Sequence, residues 1–264
     1  MPASGPQAEA FASVPLKESG SSVTPHPTLS RYYEKPEERA DTLGKLFDAS
    51  AQHYDWIFQV LSMRTGNWYR GRMLRRAGLK KGMRVIDVAC GTGVISQRAA
   101  RIVGDPSLVT SVDPSEGMRE QAKQRRGIVA LEGDAEHLPM DDASADMVVM
   151  GYALRHVTDL VAAFKEFSRV LKRGGRVLVL EITSPRSRFG RALARFYFGR
   201  FIPLVMGVFS RNKAAKKLMQ YHWDSIEQCV RPEVIQQAMR DAGLSEINRR
   251  VEIGLFSAYT GTRG

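Results

Sequence analysis

Five positions of the sequence have the residue types and spacing needed to hold a nucleoside-like ligand. Gly91 and Gly93 stand directly after an apolar run, where a backbone without side chains turns tightly and approaches a ligand closely. Asp113 ends the next apolar run, and a carboxylate in that position accepts both hydroxyls of a ribose. Asp134 and Ala135 follow a third such run, where a carboxylate can accept a bond from an adenine amino group. Gly-x-Gly alone indicates only a tight turn; the three elements together predict a cofactor site.

Short apolar segments alternate with helical ones, which predicts a parallel sheet with helices on both faces. The ligand residues then fall at the carboxyl ends of successive strands, the edge where open α/β sheets bind ligands. Near the C-terminus, apolar and polar residues alternate in two segments that are separated by Ile253-Gly254. This pattern predicts an antiparallel hairpin. The predicted strands are Arg84–Ala89, Leu108–Val112, Ile128–Leu131, Asp146–Met150, Arg176–Ile182, Ser245–Glu252 and Leu255–Thr262, and the predicted helices are Leu43–Ala77, Val94–Val103, Ser115–Arg125, Thr158–Leu171 and Glu233–Ala242.

With these motifs the chain resembles the class I S-adenosylmethionine-dependent methyltransferases, and more narrowly the ubiquinone/menaquinone C-methyltransferase family. The resemblance covers roughly Leu46 to Gly243. It rests on Asp87–Gly93, and most specifically on Ala153–Asp159 followed by Arg169–Arg176. It implies a Rossmann-like α/β fold with a mostly parallel seven-stranded sheet, ending in the antiparallel hairpin. It also implies S-adenosyl-L-methionine as the cofactor, held by Asp87, Gly91, Thr92, Gly93, Asp113, Asp134 and Ala135.

Three residues are candidates for the methyl transfer itself: Arg155, Tyr54 and His156. Carbon methylation of a hydroquinone ring needs one ionised hydroxyl, and Arg155 could lower the pKa of that phenol or hold a water that takes its proton. The alternative for Arg155 is an ion pair with Asp159. His156 could act as a base at neutral pH or pack at the start of a helix. Tyr54, on the helix that would cap the site, could touch the cofactor or substrate, or be a packed aromatic.

The methyl acceptor implied by the resemblance is a prenylated quinol precursor of ubiquinone or menaquinone. The chain departs from the family pattern at His156, where the family has asparagine, and in the hairpin, which lacks the usual histidine near the end. A phospholipid amine or a specialised aromatic metabolite is therefore an alternative acceptor. A non-catalytic assembly subunit of a quinone-synthesis complex is another alternative, although the cofactor residues argue against it. The sequence contains no RNA-binding module, which argues against a nucleic-acid acceptor.

The positive charge is concentrated in one segment. The formal net charge is +11, and residues 186–217 contain nine basic residues and no acidic one. Aromatic side chains alternate with these arginines, which favours a lid or an amphipathic element on an anionic membrane. The alternative is a helix packed on the domain with its arginines in water.

The remaining expectations concern the N-terminus and the compartment. Residues 1–40 lack hydrophobic periodicity and are predicted to be mostly disordered, leaving 41–264 as the methyltransferase domain. They do not resemble a secretory signal. Cys90 and Cys229 have the spacing of neither a disulfide framework nor a zinc site, so no metal is predicted. We expect a cytoplasmic protein that can lie on the inner face of the membrane.

Overall fold

The computed structural model describes residues 22–35, 38–61, 66–185, 187–201, 213–252 and 254–264. In this part of the chain, helices and strands alternate as predicted, except that two helices, Arg39–Leu61 and Gly66–Arg76, stand where the single helix Leu43–Ala77 is predicted. The helices are α1 (Arg39–Leu61), α2 (Gly66–Arg76), α3 (Val94–Val103), α4 (Glu116–Arg126), α5 (Leu160–Val170), α6 (Arg188–Phe196), α7 (Lys213–Glu227) and α8 (Pro232–Asp241). The strands are β1 (Val85–Val88), β2 (Val109–Val112), β3 (Ala145–Gly151), β4 (Leu171–Ile182), β5 (Leu244–Glu252) and β6 (Phe256–Arg263).

The strands form one sheet in the order β2-β1-β3-β4-β6-β5. The first four strands are parallel, and β6 and β5 add the predicted antiparallel hairpin at one edge. The α/β fold class is confirmed, with six strands instead of seven. The predicted strand Ile128–Leu131 makes only a single bridge between Leu131 and Val112. It lies at the outer edge beyond β2, and Val129 is 76% exposed, so little apolar burial holds a longer ladder there.

Both faces of the sheet are buried, as the near-continuous apolar runs of the strands require. Val148 and Val179 face one side, against Phe164 and Phe167 of α5 and residues of α8. Alternate residues such as Val149 face the other side, against α2 and α3. Among the described residues, no helix is long and apolar enough to cross a bilayer.

Part of the N-terminal region differs from the prediction of disorder. Residues 22–35, called here the N-terminal segment, pack on the domain, with Leu29 and Tyr33 buried against α1 and α7. The backbone of Val23 donates to Asp159, and its carbonyl accepts from Leu160 at the start of α5. The burial of Leu29 and Tyr33 and these backbone bonds offset the entropy of ordering a segment with no periodic pattern. Residues 1–21 lie outside the described part of the chain.

Candidate functional site

The glycine turn joins β1 to α3 in a backbone conformation that only glycine adopts easily. Gly91 and Gly93 have φ values of +57° and +80°. A Cβ on Gly93 would lie 2.7 Å from Cδ1 of Ile128, so this turn also packs too closely for a side chain. Ala89, just before the turn, holds φ +52° and Tyr152, just after β3, holds φ +62°. Strained residues thus follow two neighbouring strands at the same edge, as is common at functional sites.

Asp113 lies at the carboxyl end of β2 with its carboxylate turned to the glycine turn. Its Oδ2 accepts from the backbone N–H of Gly91 at 2.7 Å, and its Oδ1 accepts from that of Ser115 at 2.9 Å. Burial raises the pKa of Asp113 to about 6, against the lowering effect of those two N–H donors. Each oxygen of an ionised carboxylate has about two lone-pair sites, so each retains one acceptor site for a ligand.

Asp87 lies beneath the same turn and is fully buried. Ser96 donates to its Oδ2 at 2.5 Å, and Ser111 donates in turn to Ser96 at 2.9 Å. Its Oδ1 has no hydrogen-bond partner among the described residues. Burial raises the pKa of Asp87 to about 7, partly offset by the bonds from Ser96. An acceptor buried without a partner is costly and marks a place where a bound cation or donor would be stabilised.

The raised pKa of Asp87 predicts a specific pH dependence of stability. Because the folded state holds this proton more tightly than the unfolded chain, the group stabilises the fold below about pH 4 and loses that effect as pH rises through about 7. We therefore expect the stability of Asp87→Asn relative to the wild type to rise by up to about 4 kcal/mol between those limits. Chemical denaturation across this pH range measures it. Asp105→Asn, at the exposed start of the short helix before β2, is the control and should give no such trend; a flat difference for Asp87→Asn would contradict the prediction.

The other predicted cofactor residues lie around the same edge. Oδ1 of Asp134 accepts from the backbone N–H groups of Glu136 at 2.9 Å and His137 at 2.7 Å, so a ligand contact would fall to Oδ2. Ala135 is buried in the core beside this turn. Thr92 is buried in the glycine turn, and its carbonyl accepts from Arg126.

The first helix is anchored over this edge by one carboxylate. Oδ1 of Asp48, on α1, accepts from the Ser115 hydroxyl at 2.6 Å and from the Gly117 N–H at 2.9 Å. A carboxylate satisfies the free donors at the start of α4 and is favoured by the helix dipole. The predicted site residue Tyr54 is also on α1, but its side chain lies outside the described part of the structure.

Arg155 is almost completely buried and bonded to protein groups by all three guanidinium nitrogens. Nη1 donates to Glu181 at 2.5 Å and to the Tyr152 carbonyl at 2.9 Å. Nε donates to Ser225 at 3.2 Å, and Nη2 donates to Nδ1 of His222 at 2.7 Å. The ion-pair partner is thus Glu181 rather than Asp159, which the sequence suggested. Because a guanidinium only donates, His222 accepts and is neutral, in accord with a pKa lowered by burial and by Arg155.

A second buried arginine joins the N-terminal segment to this network. Nη2 of Arg39 donates to the carbonyl of Arg155 at 2.6 Å and to Nε2 of His26 at 2.8 Å. Nδ1 of His26 therefore carries the proton and donates it to the Pro27 carbonyl at 2.7 Å. Burial, followed by the charge of Arg39, lowers the pKa of His26 to about 4.

Sequence reasoning missed Glu181, Arg39 and His26 as parts of this network. The sequence could have indicated Glu181, because it is the one acidic residue in an otherwise apolar strand, Val177–Ile182. A carboxylate in a strand buried on both faces requires a buried cation. Arg39 and His26 left no such signal, since they lie in a segment without periodic pattern.

Comparison with known proteins gives a family match over most of the chain. The model of the ubiE/COQ5 methyltransferase family matches residues 34–263. A demethylmenaquinone methyltransferase from Symbiobacterium thermophilum is 32% identical over 240 residues, covering 86% of this chain and 95% of the relative. The ubiquinone/menaquinone biosynthesis C-methyltransferase UbiE from Shewanella halifaxensis is 30% identical over 219 residues, covering 80% and 86%.

Solved structures share the fold at lower identity. A SAM-dependent methyltransferase from Thermotoga maritima has a TM-score of 0.59 and 23% identity, covering 83% of this chain and 99% of its own. Phosphoethanolamine N-methyltransferase 2 from Haemonchus contortus, in complex with S-adenosyl-L-methionine, has a TM-score of 0.57 and 17% identity, covering 82% and 57%. At these identities the likeness shows the fold alone.

Proposed function

Because the chain belongs to the ubiE/COQ5 methyltransferase family, and is an S-adenosylmethionine-dependent methyltransferase, we propose that it methylates a ring carbon of a prenylated quinol in ubiquinone or menaquinone synthesis. The observation that carries the reaction class is the pairing of the glycine turn with the Asp113 carboxylate at one sheet edge. The acceptor class is supported by the names of the two relatives, a demethylmenaquinone methyltransferase and a ubiquinone/menaquinone biosynthesis C-methyltransferase.

The residues at this edge fit the cofactor. Asp113 would accept the two ribose hydroxyls through the acceptor site that each oxygen retains, while Gly91 and Gly93 leave room for close approach of the backbone. The ionised carboxylate of Asp87 would balance the cofactor's positive charge through Oδ1, the oxygen that has no partner within the described chain. Asp134 would accept from the adenine amino group through Oδ2.

When bound, the cofactor supplies a methyl group on a cationic sulfur, which leaves as a neutral thioether. The ring carbon gains this methyl and loses its own proton to solvent, after one ring hydroxyl has become a phenolate. The protein's task is to orient the two partners, exclude water and favour the phenolate. Among the candidate residues, Tyr54 would contact the cofactor or the ring from α1, and His156 would contact the ring oxygen from the turn after β3.

For Arg155 we propose an electrostatic role. All three nitrogens of its guanidinium donate hydrogen bonds within the protein, to Glu181, Tyr152, Ser225 and His222. It therefore acts on the acceptor through its electric field, and it fixes the turn that carries His156. Of the two roles that the sequence suggests for Arg155, this proposal keeps the lowering of the phenol pKa.

Radiolabelled methyl transfer tests the proposed acceptor. Purified protein is incubated with methyl-labelled S-adenosylmethionine and either a short-chain demethylmenaquinol or vesicles containing phosphatidylethanolamine. The proposal expects label on the quinol ring and none on the lipid. Label in the ethanolamine head group would replace the quinol with a phospholipid amine. Cofactor binding with label in neither acceptor would favour another aromatic acceptor or an assembly role.

We also propose that α6 and the turn after it hold the enzyme on an anionic membrane from the cytoplasmic side. Among the side chains of this segment that the structure describes, four large apolar ones are exposed: Phe189, Leu193, Phe196 and Phe201. The first three are spaced by four and three residues, so they form one stripe along α6. Arg191 and Arg195 lie on the opposite side of the helix, the arrangement of an interfacial amphipathic helix.

Replacing this stripe is expected to reduce binding to anionic vesicles. The double variant Phe189→Ser/Phe196→Ser should lose at least about tenfold in partitioning, because fully burying one such side chain is worth about 1.5–3 kcal/mol. Sedimentation with phosphatidylglycerol vesicles measures the loss. Val129→Ser/Leu131→Ser, which removes two exposed apolar side chains beside β2, is the matched control. Equal losses of vesicle binding in both variants would contradict the proposal. Binding that does not depend on anionic lipid or on salt would also contradict it.

A further inference from the structure

His156 lies in an aromatic cluster at the carboxyl end of β3, the strand next to β1 and its glycine turn. Its ring stacks on Tyr221 of α7, with centroids 5.4 Å apart, and meets the edge of Phe47 of α1 at 5.3 Å. His222 lies 5.6 Å away. The three elements that surround this ring are thus the turn after β3 and the two helices above it.

The surroundings fix the proton on one ring nitrogen. Nδ1 of His156 and the Tyr221 hydroxyl are joined by a hydrogen bond of 3.0 Å. Burial raises the pKa of Tyr221, so the hydroxyl keeps its proton. The positive charges of Arg39 and Arg155 act on that hydroxyl and attract its lone pairs, from which we infer that its O–H points away from them. The hydroxyl therefore donates to Nδ1, which leaves the proton of the neutral ring on Nε2.

The ring has little tendency to become charged. Burial and then the charge of Arg155 lower its pKa well below the ordinary value, and His222, Arg39 and His26 act in the same direction. Arg155 and Arg39 are the cations among these groups and lie on different elements, so a second proton on the ring would be repelled by two buried positive charges. A neutral imidazole in this place is a poor base but a good hydrogen-bond donor.

Nε2 of His156 is inaccessible to solvent and has no hydrogen-bond partner in the described part of the chain. A buried N–H without an acceptor is costly, so its retention at the sheet edge that carries the cofactor residues points to a ligand oxygen. A ring oxygen bearing developing negative charge is the acceptor that such a donor stabilises best.

We propose that His156 donates a hydrogen bond from Nε2–H to the ring oxygen of the methyl acceptor, and so acts as a neutral stabiliser of the phenolate instead of a base. This proposal rests on the quinol function proposed above. It assigns the proton of the ring hydroxyl to solvent and gives His156 no net proton transfer. It also gives a reason for the histidine at this position, because an asparagine amide N–H would offer the same kind of donor.

The tautomer is measured directly in the wild-type protein. With five histidines in the chain, ¹⁵N-detected imidazole spectra of the full-length protein can be assigned with His156→Asn. The expected result is a neutral ring protonated on Nε2 at pH 7, with no titration between pH 5 and 8. A ring protonated on Nδ1, or an imidazolium at pH 7, would overturn the proposal without any bearing on which acceptor the enzyme uses.

Substitution separates a donor from a base. With a short-chain demethylmenaquinol, His156→Phe should lower kcat about 100-fold, as removal of an oxyanion donor does, with unchanged affinity for S-adenosylmethionine. His156→Asn should recover at least tenfold of that loss, which a base could not do. The absorbance-monitored pKa of the bound quinol hydroxyl should rise by at least one unit in His156→Phe. If the wild type methylates the quinol and His156→Phe stays within threefold, the donor role fails; if the wild type leaves the quinol unmethylated, the proposed function fails instead.

Discussion

Replacing Asp113 by alanine is expected to weaken S-adenosylmethionine binding by about 100-fold or more. Two hydrogen bonds from ribose hydroxyls to a buried carboxylate are worth about 3 kcal/mol or more together, and 1.4 kcal/mol corresponds to a factor of ten. The same substitution removes the acceptors that hold the N–H groups of Gly91 and Ser115, so the glycine turn also loses its anchor. Calorimetric titration with the cofactor measures the change.

Two further measurements show that the loss comes from the ribose contact. S-adenosylhomocysteine, which has the same ribose but no sulfonium methyl, should lose the same factor. Asp113→Asn should be nearly as damaging as alanine, because its amide nitrogen would face one of the two backbone N–H donors. Asp105→Ala, at the other end of β2, serves as the control with unchanged affinity. A dissociation constant for Asp113→Ala within threefold of the wild type would remove Asp113 from the cofactor site.

Neutralising Glu181 is expected to be strongly destabilising. Glu181→Gln keeps the side-chain size but leaves the buried guanidinium of Arg155 without a counter-charge. Breaking a buried pair in this way costs about 3–5 kcal/mol, which for a domain of this size lowers Tm by about 6–20 °C. Thermal and chemical unfolding measure the loss. Glu132→Gln, which breaks the exposed pair with Arg119, should cost less than about 1 kcal/mol; a comparable loss in both variants would contradict the special status of the buried pair.

The double variant Arg155→Met/Glu181→Leu distinguishes a structural pair from a catalytic one. Replacing both charges by apolar groups of similar size removes the uncompensated charge, so most of the stability lost in Glu181→Gln should return. If the field of Arg155 favours the phenolate, this stable protein should still bind S-adenosylmethionine but transfer methyl groups far more slowly. Wild-type turnover in the double variant would leave Arg155 with a structural role alone.

The sequence alone was sufficient for the fold class and for placing the candidate cofactor residues at one edge of the sheet. Both depend on local patterns: apolar runs that alternate with helical periodicity, glycines where the backbone must adopt φ values of +57° and +80°, and acids directly after strands. Because the carboxyl ends of parallel strands meet at one edge, the sequence predicts that Gly91, Asp113 and Asp134 are neighbours. The Gly91–Asp113 bond agrees with that prediction.

Other features depended on contacts between residues distant in sequence. The ion-pair partner of Arg155 lies 26 residues away on the neighbouring strand, so helical spacing suggested Asp159 instead of Glu181. The predicted strand Ile128–Leu131 has the composition of a strand but makes only a single bridge, because its position at the sheet edge offers too little burial to extend the ladder.

Tertiary structure alone decided the chemistry of His156. Its residue type permitted a base, a donor or a packed ring. The hydroxyl of Tyr221, 65 positions away, donates a hydrogen bond to Nδ1, while two buried arginines keep the ring neutral. Residues 22–35 are ordered for the same kind of reason, because they make contacts with Arg39 and with α5 and α7, which are distant in sequence. Local sequence determines backbone conformation and strand ends, but the proton on a buried ring depends on charges that only folding brings together.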